Sequence, residues 1–578
     1  MTTFRELQKA CKLTVEGTPV KLAVLGNVAT QFLSAAIEGS GKLRGINLQL
    51  LDADYDQIDA QLIDPSSEVC AFSPDAVLLY LASDRLYEDY LDLPFEEKAS
   101  FADAVAERVT RYVDLAVRNT KARVLLMNVT EIDDKGLGQY SARAVQSFIY
   151  QIRKLNAALQ EMMTHHAQVF PVDLAAVQNT LGREAFYDAR LYYSSKMPIA
   201  LNALPAVARA VTDVLVAMQG RIKKCVVLDL DNTLWGGVIG DDGMNGIEIG
   251  ELGKGHVYTN LQRWLKELKD YGIILAVCSK NDEAVAKEPF EKHEDMVLRL
   301  SDIAVFVANW EDKATNIKLI QQTLNIGMDS IVFLDDNAFE RNLVRERCLG
   351  ITVPELPEDP AEWLAFLQRE NYFETASFTG VSEDRTAQYQ AEFRRRQSEA
   401  SYDSIDDYLE SLEMVAHAAA FDAEHAARIA QLTQRSNQFN LRTVRYTEEE
   451  VARLLEDADV VTRYYTLRDK FGDHGLIALA ILRRTDDDTM FVDTWLMSCR
   501  VLKRTMEAFV VNDLTLLARS AGCRNLCGEY QPTAKNKMVS EIYDTFGFTL
   551  TEETADGAKR YTLALTDDAP RKTFVQKG

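Results

Sequence analysis

Four short motifs in the middle of the chain carry the residue types that phosphoryl transfer requires. In chain order they are Asp229 with Asp231, Ser279, Lys313, and the pair Asp335-Asp336, each at or just beyond the end of an apolar stretch. That chemistry needs a nucleophile, a proton donor for the leaving oxygen, a divalent cation and a positive counter-charge. Each motif alone is typical of a turn, a helix cap or a solvated charge. Together, in this order, they predict a phosphoryl-transfer site.

The segment that contains these motifs alternates apolar strands with helices. Strands are predicted at 225–230, 273–278, 304–307 and 330–334, and a helix near 257–270. This alternation is typical of a doubly wound parallel sheet, whose ligand sites lie at the carboxyl ends of the strands. Pro354, Pro357 and Pro360 predict that the sheet ends near 353.

Residues 223–350 resemble the haloacid dehalogenase (HAD) superfamily, whose four motifs they match in order. The resemblance implies that Asp229 attacks phosphorus to form an aspartyl-phosphate and that Asp231 is the general acid/base. It implies a Mg²⁺ cofactor, which hard carboxylate oxygens suit. The implied metal ligands are Asp229, Asp231 through its backbone carbonyl, and Asp336 with Asp335 beside it, the choice between these two being open. The phosphate would be bound by Thr233, Ser279, Lys280, Asn281 and Lys313.

The spacing of the motifs predicts an open site. About 40 residues separate Thr233 from the next strand, and 34 separate Ser279 from Lys313, and both gaps contain core elements. Neither gap has room for a full cap domain. An open site permits a bulky or carrier-tethered substrate, although another domain of the chain could act as the lid.

Longer motifs narrow the resemblance to the FkbH-like family. One is Asp-Leu-Asp-Asn-Thr-Leu-Trp-Gly-Gly from position 229, and the others lie at 278–281, 310–313, 333–337, 433–440, 468–475, 497–500 and 529–536. The resemblance implies a bifunctional enzyme of polyketide or related biosynthesis. It would dephosphorylate a substrate derived from 1,3-bisphosphoglycerate and load the glyceryl unit as a thioester onto an acyl carrier protein. The alternative is a stand-alone HAD phosphatase whose other domains are docking modules; a non-catalytic scaffold is disfavoured by the complete set of HAD residues.

The implied transfer step calls for a thiol and a base. Cys499, flanked by Arg500, Lys503 and Arg504, is one relay candidate, because nearby cations lower a thiol's pKa. Cys278, next to Ser279, is the second. Direct transfer to the carrier without an enzyme thioester is the third possibility. His474 is the candidate base, against the alternative of a packed histidine in a glycine-rich hairpin.

The N-terminal block, residues 1–218, also alternates strands and helices, with strands predicted at 21–26, 75–80 and 123–127. It resembles an SGNH-hydrolase fold, with Gly26-Asn27-Val28 where the nucleophilic serine would lie. The serine is absent, and the late histidine is missing from the segment 188–191. We therefore expect docking or a lid role here, not hydrolysis.

Residues 416–566 resemble the GNAT acyltransferase fold, after a helical connector at 356–415 and before a loose tail at 567–578. Lys503 and Thr505 replace the glycines that let this fold bind pyrophosphate closely. The resemblance therefore implies binding of a carrier's phosphopantetheine arm and not of free coenzyme A. The expected carrier-binding residues are Arg500, Lys503, Arg504, Lys535 and Asn536.

The composition of the chain disfavours several classes of partner and location. The net charge of −24 disfavours nucleic acid as a partner, and no apolar run reaches the length of a membrane span. Eight scattered cysteines without metal-ligand spacing, and an N-terminus unlike a signal peptide, favour a cytoplasmic location. The predicted fold class is α/β multidomain: a HAD-type doubly wound parallel sheet in 219–355, flanked by an SGNH-like α/β domain and a GNAT-like α+β domain. The oligomeric state stays open.

Overall fold

The computed structural model describes residues 2–578 except 133, 377–383, 400, 401, 403, 437, 438, 456, 458, 499, 500, 534, 535 and 567. The chain folds into two compact units. One is Met1–Lys224 together with Glu362–Gly380, and the other is Cys225–Ala361 together with Val381–Gly578. Within the described part of the chain, no helix combines the length and the apolar character needed to cross a membrane.

A five-stranded parallel sheet forms the centre of the first unit. Its strands are Val20–Gly26 (β1), Leu48–Asp52 (β2), Ala76–Tyr80 (β3), Arg123–Met127 (β4) and Val169–Val172 (β5), in the order β2-β1-β3-β4-β5. The three strands predicted from the sequence are confirmed. β2 and β5 are the two edges, and Pro171 in β5 is tolerated there because an edge strand leaves N–H positions unpaired.

Helices cover both faces of this sheet, and each face has its own apolar core. They are Phe4–Ala10 (α1), Gln31–Leu43 (α2), Ile58–Ile63 (α3), Glu68–Phe72 (α4), Ser83–Leu91 (α5), Phe101–Thr120 (α6), Phe148–Thr164 (α7), Leu174–Leu181 (α8), Arg183–Phe186 (α9), Ala189–Ser195 (α10) and Leu204–Met218 (α11). α1 and α2 approach so closely at Gly39 that a Cβ there would collide with the Leu7 carbonyl oxygen.

The second unit begins with a four-stranded parallel sheet whose strands are buried except at Ile274. They are Cys225–Leu228 (β6), Ile274–Ser279 (β7), Ile303–Ala308 (β8) and Ile331–Leu334 (β9), in the order β8-β7-β6-β9. Its helices are Ile239–Asp242 (α12), Gly255–Asp270 (α13), Glu283–Lys292 (α14), Lys313–Leu324 (α15) and Ala338–Arg347 (α16). The predicted doubly wound sheet is confirmed. All of residues 225–336 are described, and in that range the segments between the motifs consist of these core elements, short turns and loops.

An eight-stranded sheet forms the rest of the second unit, in the order β15-β16-β14-β13-β12-β11-β10-β17. The strands are Val415–Ala419 (β10), Val460–Asp469 (β11), Gly472–Asp486 (β12), Thr489–Met497 (β13), Asn525–Tyr530 (β14), Thr549–Glu553 (β15), Lys559–Ala564 (β16) and Gln576–Lys577 (β17). The pairs β13–β14 and β10–β17 are parallel and the others antiparallel. The helices are Ile405–Ser411 (α19), Ala426–Arg435 (α20), Glu448–Leu454 (α21), Met506–Ser520 (α22) and Ile542–Thr545 (α23).

Besides α19, the predicted connector at 356–415 contains two helices that belong to different units. Trp363–Glu370 (α17) is part of the first unit, where Glu370 forms an ion pair of 3.0 Å with Arg209. Asp384–Glu399 (α18) is part of the second unit, and its Tyr389 and Phe393 pack against the core of the four-stranded sheet.

The prediction of a loose tail at 567–578 is wrong. The N–H groups of Gln576 and Gly578 donate to the carbonyls of Met414 and Ala416, and Val575 is buried. These bonds make β17 an edge strand of the eight-stranded sheet. Two residues give too short a periodic pattern to be recognised in the sequence.

Candidate active site

The four predicted motifs meet at one edge of the four-stranded sheet. Asp229 follows β6, Ser279 ends β7, Lys313 begins α15 beyond β8, and Asp335 follows β9. Since all four strands are parallel, their carboxyl ends lie together, and β6 has β7 and β9 as its direct neighbours. The buried Ser279 side chain faces the Asp229 carboxylate and acts to lower its pKa. The structure therefore brings the predicted nucleophile, hydroxyl, lysine and acid pair into one crevice.

Lys313 is a buried cation between two buried carboxylates. Its Nζ lies 3.0 Å from Asp229 Oδ2 and 2.6 Å from Asp335 Oδ2, and the residue is 3% exposed. Burial alone would lower the pKa of Lys313, but the charges of Asp229 and Asp335 raise it, so the side chain stays an ammonium. Burial raises the pKa of Asp229, and the Lys313 charge opposes this rise. Burial and the neighbouring Asp229 charge raise the pKa of Asp335 to about 6.

The acid cluster at this edge consists of Asp229, Asp335 and Asp336. One carboxylate oxygen from each lies within 4.8 Å of the others. When all three are ionised, the single positive charge of Lys313 leaves an excess of two negative charges. Hard oxygen donors with that excess fit a divalent cation such as Mg²⁺. The donor chemistry therefore matches the metal that the sequence predicts.

Asp231 is held by a tight turn next to this cluster. Its carboxylate accepts hydrogen bonds from Trp235 Nε1 at 3.0 Å, the Ile239 N–H at 2.9 Å and Asn281 Nδ2 at 3.0 Å. Asn232, with φ of 53°, turns the chain directly after Asp231, and its side-chain oxygen accepts a hydrogen bond from the Gly237 N–H. These contacts fix the side chain two residues beyond the nucleophile, as a positioned general acid/base requires.

Three residues expected to bind phosphate contact protein groups. Thr233 is fully buried, and its hydroxyl accepts a hydrogen bond of 3.2 Å from the Asp336 N–H. Asn281 donates to Asp231, and Lys280 forms an ion pair of 2.6 Å with Glu340. Their side chains therefore brace the acidic loops in this structure, and their binding of phosphate stays a prediction.

Two buried residues on α16, Arg341 and Glu340, hold neighbouring loops of the crevice although no motif in the sequence indicates them. Arg341 is buried and donates from Nη1 to the carbonyl oxygens of Asp335 and Asp336, at 2.9 and 2.7 Å. The Glu340 carboxylate, which is also buried, forms an ion pair with the Lys280 ammonium. An arginine and a glutamate on a polar helix give no motif in the sequence, because only the turn of the chain brings them back beneath the acids.

Cys278 lies in the core of the four-stranded sheet and not at the crevice surface. It is fully buried, and its thiol donates to the Lys313 carbonyl at 3.7 Å. Burial raises the pKa of this thiol well above its ordinary value. A relay cysteine must form a thiolate and reach its substrate. The geometry therefore disfavours the relay role expected of Cys278.

His474 is far along the chain from these residues, in the β11–β12 hairpin. Its Nε2 lies 3.0 Å from Asp469 Oδ2, and its side chain is 6% exposed. Burial lowers the pKa of His474, and the charge of Arg395 acts in the same direction while Asp469 opposes it. The imidazole is therefore neutral near pH 7, the form that can accept a proton.

The expected carrier-binding residues divide into three groups. Asn536 is fully buried, and its amide donates to the carbonyls of Asn440 and Gln531, at 3.0 and 2.9 Å, so it ties two motifs together and is not available to a carrier. Arg504 forms an ion pair of 2.9 Å with Glu392 of α18, whereas Lys503 is exposed. Arg500 and Lys535 lie outside the described residues, and so does Cys499, the candidate acyl relay.

Comparison with known proteins identifies the family. The family model described as FkbH, N-terminal domain, matches residues 21–216. The crystal structure of the N-terminal part of the protein BF1531 from Bacteroides fragilis, containing a phosphatase domain complexed with Mg, is 45% identical to this chain. It covers 65% of this chain and all of that one, with a TM-score of 0.62. The chain belongs to the FkbH-like family. This FkbH-like chain is thus a mixed α/β multidomain protein with a HAD-like phosphatase domain.

A segment of the FkbH-like chain also matches solved structures of acetyltransferases at low identity. The ribosomal-protein-S18-alanine N-acetyltransferase from Escherichia coli is 14% identical, with a TM-score of 0.21, over 27% of this chain and 99% of that one. The spermidine N-acetyltransferase from Vibrio cholerae, in complex with CoA and spermine, is 10% identical, with a TM-score of 0.22, over 26% and 96%. Among curated proteins, none matches the chain.

Proposed function

We propose that this chain is a Mg²⁺-dependent phosphatase and glyceryl transferase of the cytoplasm. In this proposal it removes phosphate from a substrate derived from 1,3-bisphosphoglycerate and loads the glyceryl unit onto an acyl carrier protein of a biosynthetic pathway. The observation that carries the phosphatase half is the buried Lys313 between Asp229 and Asp335, beside Ser279. The long motifs shared with the FkbH-like family support the transferase half.

Removal of the ester phosphate at C3 uses residues of the crevice. The Asp229 carboxylate attacks phosphorus, an aspartyl-phosphate bond forms, and the phosphorus–oxygen bond to the glyceryl group breaks. Asp231 gives its proton to the departing oxygen and then takes one from the water that hydrolyses the aspartyl-phosphate. Lys313 and Ser279 contact the phosphate oxygens, and the buried ammonium offsets their charge.

Asp229, Asp335 and Asp336 would hold Mg²⁺, with Thr233 and Arg341 fixing the loop that carries the last two. The bound ion supplies positive charge to the phosphate oxygens. The Bacteroides fragilis relative was crystallised with the same metal.

Loading of the glyceryl unit uses the acyl phosphate at C1. A thiol attacks the acyl carbon, a carbon–sulfur bond forms, and the carbon–oxygen bond to phosphate breaks, so no further energy source is needed. Overall, 1,3-bisphosphoglycerate, the thiol and one water give the glyceryl thioester and two phosphates. His474 is our candidate base for the thiol proton. Cys499 stays a prediction from the sequence as an intermediate carrier of the acyl group.

Weighing the carrier protein tests this function. The full chain is incubated with Mg²⁺, 1,3-bisphosphoglycerate and a holo acyl carrier protein, and the carrier is then measured by mass spectrometry. We expect a glyceryl adduct from the wild-type enzyme and none from a reaction without enzyme. Asp229→Asn should leave the phosphate ester in place, giving a phosphoglyceryl adduct or no adduct.

Two outcomes contradict the proposal. A phosphoglyceryl adduct from the wild-type enzyme would exclude the dephosphorylation step. Phosphate release without any change in carrier mass would favour a stand-alone phosphatase. Cys499→Ala separates a relay through the enzyme from direct transfer, because only the relay requires that thiol.

A further inference from the structure

A network of charged residues surrounds His474 in the second unit. The Asp469 carboxylate accepts two hydrogen bonds from the Arg395 guanidinium, at 2.6 and 2.8 Å. It also forms a hydrogen bond of 3.0 Å with the His474 ring. Arg395 is 3% exposed and Asp469 6%. Bidentate, charge-assisted bonds between buried groups fix geometry strongly. The carboxylate therefore cannot turn away from the histidine without breaking two other bonds.

The ring orientation follows from this carboxylate. Burial acts to raise the pKa of Asp469, but hydrogen bonds from His474 and Arg395 hold it well below its usual range. An ionised carboxylate only accepts hydrogen bonds, so Nε2 of His474 carries the proton. In the neutral ring Nδ1 is then the basic nitrogen, and among the described residues Asp469 is the ring's only hydrogen-bond partner.

Besides His474 Nδ1, a nitrogen of Arg504 lies near the Asp469 carboxylate without a hydrogen-bond partner among the described residues. Its Nη1 is buried, lies 3.9 Å from Asp469 Oδ2, and has no hydrogen-bond partner in the described part of the chain. Its other terminal nitrogen donates to Glu392 of α18. A buried guanidinium nitrogen without a partner is costly unless a ligand supplies an acceptor. An acyl phosphate has such acceptor oxygens, and a thiol brings the proton that Nδ1 of His474 lacks.

Helix α18 connects this network to the phosphatase sheet. One face of the helix carries Tyr389 and Phe393, which pack on the phosphatase core, and Gln390, which donates to the carbonyls of Leu300 and Ile303 at 3.0 and 2.8 Å. The other face carries Glu392 and Arg395, which are three residues apart and therefore neighbours on a helix.

From these contacts we infer that Asp469 and Arg395 are positioning residues that hold His474 as the base of acyl transfer, with α18 as their common support. The inference rests on the proposed transferase function. In the step itself, Nδ1 of His474 takes the thiol proton while sulfur bonds to the acyl carbon and phosphate departs. The proton then returns to the released phosphate or to water. Asp469 and Arg395 exchange no proton in the cycle.

Removing the base tests the inference directly. In His474→Gln, thioester formation on the carrier that the wild-type enzyme loads, or on free pantetheine, should fall by roughly 10²–10⁴-fold, the usual contribution of general-base catalysis. This substitution leaves the Arg395–Asp469 pair in place, so it decides the question even if variants of that pair do not fold. Arg394→Gln, an exposed arginine on the same helix, is the matched control and should transfer at the wild-type rate.

Two charge variants separate positioning from a structural role, because they move the pKa of His474 in opposite directions. The charged groups that face the ring are Asp469 on its own hairpin, Arg395 and Glu392 on α18, and Arg504 before α22. Arg395→Gln removes a cation and should shift the acidic limb of the pH–rate profile to higher pH. Asp469→Asn leaves the cations unopposed and should shift it to lower pH. A structural role would lower the rate at every pH without moving the limb.

Histidine titration gives a readout independent of activity. The chain has seven histidines, so His474→Gln assigns the ring signal in a protein labelled at histidine Cε1. Opposite shifts of its titration midpoint in the two charge variants support the inference, and equal or absent shifts in folded protein overturn it. Wild-type transfer by His474→Gln overturns it as well. A wild-type enzyme that forms no thioester refutes the proposed function itself.

Discussion

Replacing Lys313 by methionine tests the electrostatic core of the phosphatase site. Methionine has similar length and no charge, so it removes the ammonium between Asp229 and Asp335 while keeping most of the volume. At 3.0 and 2.6 Å each attraction is roughly 5–6 kcal/mol at an effective dielectric of about 20. The desolvation of Lys313 offsets much of this sum. Removing one partner of such a buried group typically destabilises by about 3–5 kcal/mol, because the carboxylates stay buried without a counter-charge.

Thermal unfolding and phosphate release measure the two consequences. For the metal-free protein we expect the melting temperature of the phosphatase transition to fall by on the order of 10 °C. Hydrolysis of p-nitrophenyl phosphate with Mg²⁺ should fall at least about 10²-fold, the usual effect of removing one charge-stabilising group. Lys318→Met is the matched control, because Lys318 is exposed on the same helix and should change neither quantity.

A double variant tests the reasoning further. Lys313→Met with Asp335→Asn removes one of the carboxylates that lose their counter-charge, so it should melt above Lys313→Met alone. If Lys313→Met melts within about 2 °C of the wild type and keeps its phosphatase rate, the ammonium is not the counter-charge of this site. Additive losses in the double variant would also contradict the assigned coupling.

Three further predictions concern the metal, a buried amide and a buried acid. Adding Mg²⁺ to metal-free protein should stabilise the wild type by about 2.7 kcal/mol at a hundredfold excess over Kd; calorimetry should show a smaller gain for Asp336→Asn, and an equal gain would remove Asp336 from the metal site. Asn536→Ala should lower the free energy of unfolding in urea by about 2–4 kcal/mol, because it leaves buried backbone carbonyls unpaired. Unchanged stability together with weaker carrier binding would instead support direct contact between Asn536 and the carrier. Burial raises the pKa of Asp84 to about 6, so the folded state binds this proton more tightly than the unfolded chain, and stability falls as pH rises from about 4 to about 6. Asp84→Asn should therefore stabilise by up to about 3 kcal/mol at pH 7 and by little near pH 4; an equal gain at both pH values would contradict the assigned cause.

The phosphatase half of the molecule can be predicted from the sequence because its strands are buried on both faces. β6, β8 and β9 are continuous apolar runs, which stand out against the helices between them. Site residues at the ends of such strands must meet, since parallel strands share one carboxyl edge. The edge strand β5, with Pro171, and the two-residue β17 lack that pattern, and only pairing with neighbours distant in sequence forms them.

The contacts of individual polar side chains are harder to predict. Thr233 hydrogen-bonds to the Asp336 N–H, which lies 103 residues away, and a threonine that binds phosphate would have the same neighbours in sequence. Asn536 is polar in a polar segment, yet it is fully buried by the segment that contains Asn440. Arg341 supports the acid pair through carbonyl oxygens, which every residue has. Whether such groups face a ligand or the backbone depends on tertiary structure.

The double attachment of α18 limits how the two halves of the second unit can recombine in evolution. A chimaera joined before residue 384 would bring Tyr389 and Phe393 from one parent onto the phosphatase core of another. A chimaera joined after residue 399 would bring a foreign hairpin to Arg395. Either junction separates partners that fit each other at one face of the helix. A chimaera with a foreign C-terminal lobe therefore needs compensating substitutions along α18 to stay active. We expect the phosphatase domain and the C-terminal lobe to be inherited together and to change in sequence together.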